Sequence, residues 1–373
     1  MSDVRALRRQ DLPAVASLIE LAFRTGSRTP STGLASYLER ILLDHPWFDA
    51  EIPSLVSVDD DGRIIGFLGS HVRRFLFDGK PIRLAVSGQL VADPTARRKA
   101  VGAFLLKRFL DGPQDVTITD TASETVRRMW EGLGGETLHL GRVGWLRLFR
   151  PIGFASGFLL GRRSGVGRTA AALSAPLDGL AASLFRRQLE VRRPRVSAEA
   201  LTPDSIVANL PAVAADARLR PDYDIQYLDW LFNSLAAVTS RGSCEGRLIR
   251  HPKGRILGWY LYLMNPGGIS QVIQIAAREQ DVDDVMGHLF HDARETGATA
   301  LQGRVEPPLV ESLSKRHCLL HVSGYRILAH AREEAFLQAL HGGNGMFSRL
   351  DGDWWMGVQL EPTTARRSGA SRR

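Results

Sequence analysis

The chain has 373 residues, 44% hydrophobic and 24% charged, the composition of an ordinary globular protein with apolar material for two cores. Its net charge of +8 and pI ≈ 9.9 favour anionic partners, such as phosphorylated small molecules, nucleic acid or an acidic membrane surface. Cys244 and Cys318 are the only cysteines, with no CxxC and no Cys/His ligand spacing. That argues against a disulfide framework and against a zinc or other metal site, and it suits a reducing cytoplasm. The opening MSDVRALRRQ lacks the apolar stretch of a secretory leader, and no uncharged apolar run approaches the ~18 residues of a membrane span.

Asp11 is placed to cap a helix over DLPAVASLIELAFR, in which Val15, Leu18, Ile19 and Ala22 share one face. SLVSVDD reads as a strand, DDDG as a turn, and RIIGFLGSHVRRFLF and PIRLAVSGQLVADP as two strands joined at Asp78-Gly79-Lys80. A basic turn and a helix follow in VADPTARRKAVGAFLLKRFL. DVTITD is a short strand, SETVRRMWEGLGG a helix closed by Gly134-Gly135, and ETLHLGRVGWLRLF one or two strands. The order predicts a mixed α/β layer.

Residues 151–200 differ in composition. They hold eight arginines between Arg162 and Arg195 against Asp178 and Glu190, with Leu177, Leu180, Ala181 and Leu184 at helical spacing. An interdomain connector with a helix is expected, one that suits weak contact with an anionic membrane surface or plain solvation. From 201 the pattern returns. DYDIQYLDWLFNSL is helical, GRLIRHPKGRILGWYLYLMN and SQVIQIAARE are strands, DVDDVMGHLFHDARETG is a helix, ATALQGRVE a strand and PPLVESLSKRHCLL a helix. The element order, not the letters, is duplicated. TTARRSGASRR reads as a disordered tail.

The basic turn carries the chemistry. Arg97, Arg98 and Lys99 precede Ala100, Val101, Gly102 and Ala103 where a strand turns into a helix. Helix-start amides have no intrahelical partner and attract anions, and small residues let a phosphate approach. GxxxxGK[ST] and GxGxxG are both absent. The alternative is a helix start with solvated basic residues.

This stretch resembles the Q/R-x-x-G-x-G/A motif of the GNAT (GCN5-related) N-acetyltransferase superfamily, with Ala100 in place of the first glycine. SETVRRMWEGLGG is similar to that family's next helix: Ser123 takes an Asn place, Val126 an Ala place, Trp130 a Tyr place and Gly134 a Gly place. The opening VRALRRQDLPAVASLIELAF also resembles the family's first strand and helix, so the likeness spans residues 3 to about 150.

The resemblance implies two GNAT-like domains of α+β (mixed α/β) class, each a mostly antiparallel sheet flanked by helices. They would cover 1–150 and 201–360, with the connector at 151–200 and the tail at 361–373. It implies acetyl-CoA or another acyl-CoA as co-substrate and transfer of the acyl group to an amine of a small-molecule or sugar-like acceptor. Leu90, Val91 and Ala92 would pair with the pantetheine arm, Arg97 to Ala103 would hold the pyrophosphate, and Ser123 would border the site. Two departures follow. Trp130 replaces the tyrosine that protonates the thiolate in many members, and Gln89 stands where a glutamate base is common.

His71 and Asp120 then remain as candidates for moving the amine's proton. Each has a plainer reading, His71 as a hydrogen-bonded strand residue and Asp120 as a cap or turn residue. The second half bears Glu279, Asp281, Asp283 and Asp284 where the first bears its basic turn, so no pyrophosphate is expected there. In the glycine-rich GGNGMFSRLDGDWW, Trp354 and Trp355 are candidates to line an acceptor site, or else core residues. A Fem-like aminoacyl transferase using charged tRNA and a non-catalytic CoA-binding scaffold are the alternatives. The basic turn favours CoA, and no specific nucleic-acid contact is expected.

Overall fold

The structure is a computed structural model and describes residues 3–23, 33–95, 100–159, 189–237 and 241–358. Arg97, Arg98, Lys99, the helix expected over 177–184 and the tail at 361–373 lie outside the described residues. The first half runs β1 (Asp3–Ala6), α1 (Leu12–Phe23), α2 (Leu34–Leu42), β2 (Leu55–Val58), β3 (Ile64–Phe77), β4 (Lys80–Ala92), α3 (Val101–Leu110), β5 (Val116–Ala122), α4 (Glu124–Gly132), β6 (Glu136–Leu138), β7 (Val143–Leu148) and α5 (Pro151–Leu159). After the connector come β8 (Ser197–Ala200), α6 (Pro203–Val213), β9 (Leu219–Pro221), α7 (Ile225–Ala236), β10 (Ser243–Arg250), β11 (Ile256–Met264), β12 (Ile269–Ala277), α8 (Val282–Glu295), β13 (Ala300–Arg304), α9 (Val310–Lys315), β14 (Leu319–Val322), β15 (Arg326–Ala331), α10 (Glu334–His341) and α11 (Trp354–Val358).

The long hairpin of β3 and β4 turns at Asp78 and Gly79, whose φ values of 48° and 80° belong to a primed turn that matches strand twist. Two mixed sheets result, each flanked by helices. The first has the order β1-β2-β3-β4-β5-β15-β6, with β9 paired to β3, and the second β14-β7-β13-β12-β11-β10-β8. The orders correspond: β10 to β13 repeat β2 to β5, and the parallel pairs β4/β5 and β12/β13 sit at matching places.

The sheets do not divide at residue 150. β15, near the end of the chain, fills the slot between β5 and β6, while β7, from before the connector, fills the slot between β13 and β14. Each half thus completes the other's sheet, because a parallel pair leaves β5 or β13 with an open outer edge. The element order drew a boundary that the hydrogen bonds cross.

The largest core cluster joins both halves. Leu38, Ile41 and Trp47 pack with Tyr227, Leu231, Trp259 and Trp355, and Trp47 stacks on Tyr227 with centroids 3.5 Å apart. The segment 348–356 threads this interface. Arg73 Nε donates to the Asp351 carbonyl at 3.1 Å, and Tyr37 Oη donates to the Met356 carbonyl at 2.8 Å.

Candidate active site in the gap between β4 and β5

β4 and β5 pair in parallel only at Leu84↔Val116, Ala85↔Thr117 and Val86↔Ile118. Beyond Val86 and Ile118 the strands run on, to Ala92 and Ala122, without pairing each other. A wedge opens between them. A bulge re-aims β4 inside that wedge: the ladder with β3 slips between Phe67↔Val91 and Gly69↔Gly88, and Gln89 has φ of 48°. Pleating then divides the next residues. Val91 is buried in the interdomain core, whereas Leu90 and Ala92 are half-buried and pack towards α3 and α4.

The helix that starts at the mouth of the wedge is α3. Its N-cap Ala100 is left-handed, with φ of 53° and ψ of 28°, a conformation that favours glycine. This explains why the motif that this stretch resembles has glycine there. The amides of Ala103 and Phe104 bond the Ala100 carbonyl, and helix geometry leaves those of Val101 and Gly102 without an intrahelical acceptor. Gly102 has room beside it: among the described residues, a Cβ added there would meet only Met129 Sδ, at 4.0 Å. These residues fit a diphosphate-bearing ligand: two helix-start amides, the positive end of a ten-residue helix and, among the described residues, open space beside Gly102.

Other candidates fall elsewhere. Ser123 caps α4, accepting the Val126 amide at 3.4 Å, and is exposed. Trp130 does not face the wedge. It is fully buried in the core between α3, α4 and the sheet, with an indole N–H that has no partner among the described residues, and it is Met129 that faces the start of α3.

His71 sits wholly buried in β3, behind the bulge. Its Nδ1 is 3.2 Å from the Ile41 carbonyl, which only accepts, so Nδ1 carries the proton. Nε2 then faces the Gln89 carboxamide at 3.5 Å. Burial, with the nearby Arg73 charge adding to it, pushes the imidazole down to about 3. His71 is therefore neutral at every ordinary pH, and of its two readings from the sequence, candidate base and hydrogen-bonded strand residue, the structure has the second.

Asp120, on β5, is buried, hydrogen-bonded through one oxygen and ion-paired through the other. Its Oδ1 accepts the amides of Asp353 and Trp354 at 2.8 and 2.9 Å, so it caps α11, and Oδ2 lies 3.7 Å from Arg304 Nη1. Burial, then the neighbouring Asp353 charge, raises its carboxyl well above the usual range. Asp353 answers by accepting the Asp120 amide at 2.9 Å and the hydroxyls of Thr119 and Thr121. Gly352 and Arg304 are residues of this neighbourhood that sequence reasoning did not assign, and Asp353 entered it only as a flank of the paired tryptophans. The Asp-Gly-Asp run before the paired tryptophans was the signal for Gly352 and Asp353, and nothing local marks Arg304.

The tryptophans are not an open platform. Trp355 is fully buried, its Nε1 donating to the Leu350 carbonyl at 3.2 Å, and Trp230 meets it edge-on. Trp354 is buried too, with the guanidinium groups of Arg349 and Arg241 over its ring at 4.5 and 5.3 Å. Rings already taken by the chain's own cations and core cannot take an acceptor.

No family model and no curated protein matches the sequence. Solved structures do. The chain is similar to a conserved Enterococcus faecalis V583 protein named as a probable N-acyltransferase, at TM-score 0.58 and 10% identity over 91% of this chain and 74% of that one. The fold is that of the GCN5-related N-acetyltransferases. A member from Anabaena variabilis ATCC 29413 matches at TM-score 0.54 and 10% identity, over 88% of this chain and 72% of its own. One from Kribbella flavida matches at 0.53 and 13%, over 88% and 71%. Among the described residues, no group of three or more His, Cys, Asp or Glu is placed to hold a metal, and no helix is long and apolar enough to cross a membrane.

Proposed function

We propose that the protein is an acyl-CoA-dependent acyltransferase that moves an acyl group, acetyl in the simplest case, from the thioester to an amine. The observation that carries this reading is the wedge: a parallel pair that ends at Val86 and Ile118, with the start of α3 at Val101 and Gly102 following β4. The GCN5-related fold supports it at the level of architecture.

In this reading the amides of Val101 and Gly102 take the diphosphate, with Arg97, Arg98 and Lys99 adding charge. Leu90 and Ala92 offer an apolar wall for the pantetheine arm. The bulge at Gln89 directs the β4 backbone at the thioester end. Holding the two reactants together supplies most of the rate, since amine and thioester react directly. The amine nitrogen bonds to the acyl carbon, the carbon–sulfur bond breaks, and the thiolate leaves.

Proton transfer runs to water in this reading, because His71 is sealed and neutral and the Asp120 oxygens are engaged. The thiolate needs no acid near neutral pH, as a thiol of pKa ~8.5 is only mildly basic. A panel of primary amines offered with acetyl-CoA, with free thiol as readout, tests the reading. Amine-dependent thiol release supports it. Tight acetyl-CoA binding without thiol release from any amine would leave a CoA-binding scaffold, a role that the buried Trp130 and the missing base also suit.

A further inference from the structure

The second sheet has a wedge of its own. β12 and β13 pair at Ile269↔Ala300, Ser270↔Leu301 and Gln271↔Gln302, then part. Between them and the β6–β15 edge of the first sheet lies a cavity of about 590 Å³. Small-molecule sites commonly occupy ~300–1,000 Å³. Ile275, Val282 and Leu309 from the core of the second sheet and Leu138, Ile327 and Phe347 from a core of the first form its apolar walls.

The cavity does not repeat the chemistry of the first wedge. The chain entering α8 bears Glu279 and Asp281, and Asp281 is held by both Nη atoms of Arg255, at 2.6 and 2.8 Å. Carboxylates at this helix start repel a diphosphate. Three carboxylates line the cavity (Asp216, Glu279 and Glu306) against two guanidinium groups, Arg278 and Arg304.

Glu306 is the acid set deepest. Arg304 Nη2 reaches its Oε1 at 3.3 Å, and the same guanidinium also serves the Phe347 carbonyl and lies 3.7 Å from Asp120. Glu306 Oε2 has no hydrogen-bond partner among the described residues, and the side chain keeps 24% exposure, which opens onto the cavity. Burial raises this carboxyl, against the pull of Arg304 and Arg349 and with the Asp351 charge adding to the rise. A carboxylate partly withdrawn from water, with one oxygen open to a cavity, is satisfied by a cation or a strong donor.

We propose that this cavity binds a small organic cation, an ammonium group on an apolar body, with the ammonium against Glu306 and the body against Ile275, Leu309 and Phe347. The site is separate from the β4/β5 wedge, and the proposal stands whether or not that wedge binds acyl-CoA.

Hexylammonium, hexanol and hexanoate titrated calorimetrically into the full chain near neutral pH, with no CoA present, provide the test. Hexylammonium is expected to bind, hexanol and hexanoate to bind at least about tenfold more weakly, and Glu306→Gln to weaken hexylammonium by at least about tenfold. No binding of hexylammonium, equal binding of hexanol or hexanoate, or unchanged affinity in Glu306→Gln overturns the proposal. If Glu306→Gln fails to fold, Glu279→Lys at the exposed mouth serves instead. It should weaken hexylammonium several-fold in low salt and less in high salt, and unchanged affinity in low salt overturns the proposal.

Discussion

Asp120 and Asp353 lock each other's backbones: the carboxylate of each accepts the other's amide, at 2.8 and 2.9 Å. The pair ties the last described helix to the end of β5 across more than two hundred residues of sequence, and places Asp353 at the inner end of the wedge, where a Cβ on Gly88 of β4 would lie 3.3 Å from it. Two buried carboxylates this close oppose each other's ionisation, and five donors offset that cost: the amides of Asp120, Asp353 and Trp354 and the hydroxyls of Thr119 and Thr121.

The lock requires glycine at 352. A Cβ there would lie 2.3–2.5 Å from the Asp120 carboxylate atoms. Gly352→Ala is expected to lose about 1–3 kcal/mol in a denaturant titration, the usual range for overpacking a filled site. An unchanged midpoint would mean that the two segments do not approach so closely.

Ala100 offers a change in the opposite direction. A left-handed alanine costs about 1–2 kcal/mol relative to the ordinary helical region, and glycine avoids most of that while adding ~0.5–1 kcal/mol of unfolded-state entropy. Ala100→Gly should therefore stabilise the protein by about 0.5–1 kcal/mol. A loss of stability would contradict the left-handed assignment.

Buried histidines set the acid limb of stability. Burial pushes His71 down to about 3 and His45 to about 2, from an unfolded value of 6.5. Between those values and 6.5 the unfolded chain binds more protons than the folded one, so stability is complete above pH ~6.5 and falls as pH drops. Each histidine contributes up to about 1.4 kcal/mol per pH unit in that window. His71→Gln should make the acid limb shallower by about that slope, read from denaturation midpoints between pH 4 and 7. An equally steep limb would remove His71 from the buried, neutral set.

The same variant separates structure from catalysis. With no titrating base in the site, the rate of thiol release should rise with pH along the acceptor amine's own ionisation and show no step between pH 5 and 9 that His71→Gln removes. A step lost in that variant would restore His71 as the base.

Much of this architecture was legible because it is local. Alternation over 63–77 and 81–94 around Asp-Gly gave the long hairpin, and apolar spacing gave α1, α3, α7 and α8. The helix Leu34–Leu42 was missed although Leu34, Tyr37, Leu38 and Ile41 form a buried stripe. The helix expected over 307–320 stops at Lys315, since left-handed His317 (φ 54°) ends it and Leu319–Val322 turns into a strand.

What sequence could not give is long-range. The exchange of β7 and β15 is a matter of which open edge each strand reaches. Nothing local says that Trp130 faces the core while Met129 faces α3, or that a lone Asp after Gly352 caps a strand end far upstream. In the candidate site, the small residues at 100–103 were legible, while the inert states of His71 and Asp120 follow from partners on other elements.

The central claim is that the β4/β5 wedge and the start of α3 hold acyl-CoA, and titration of acetyl-CoA into the parent, Gly102→Ala and Gly102→Glu tests it most directly. Alanine at 102 meets only Met129 at 4.0 Å and glutamate points into open space, so both variants should fold like the parent. The parent and Gly102→Ala are expected to bind alike, since the motif takes glycine or alanine at this place, and Gly102→Glu not at all, because its carboxylate would stand where the diphosphate approaches the Val101 and Gly102 amides. A folded Gly102→Glu variant that binds acetyl-CoA as tightly as the parent would contradict it.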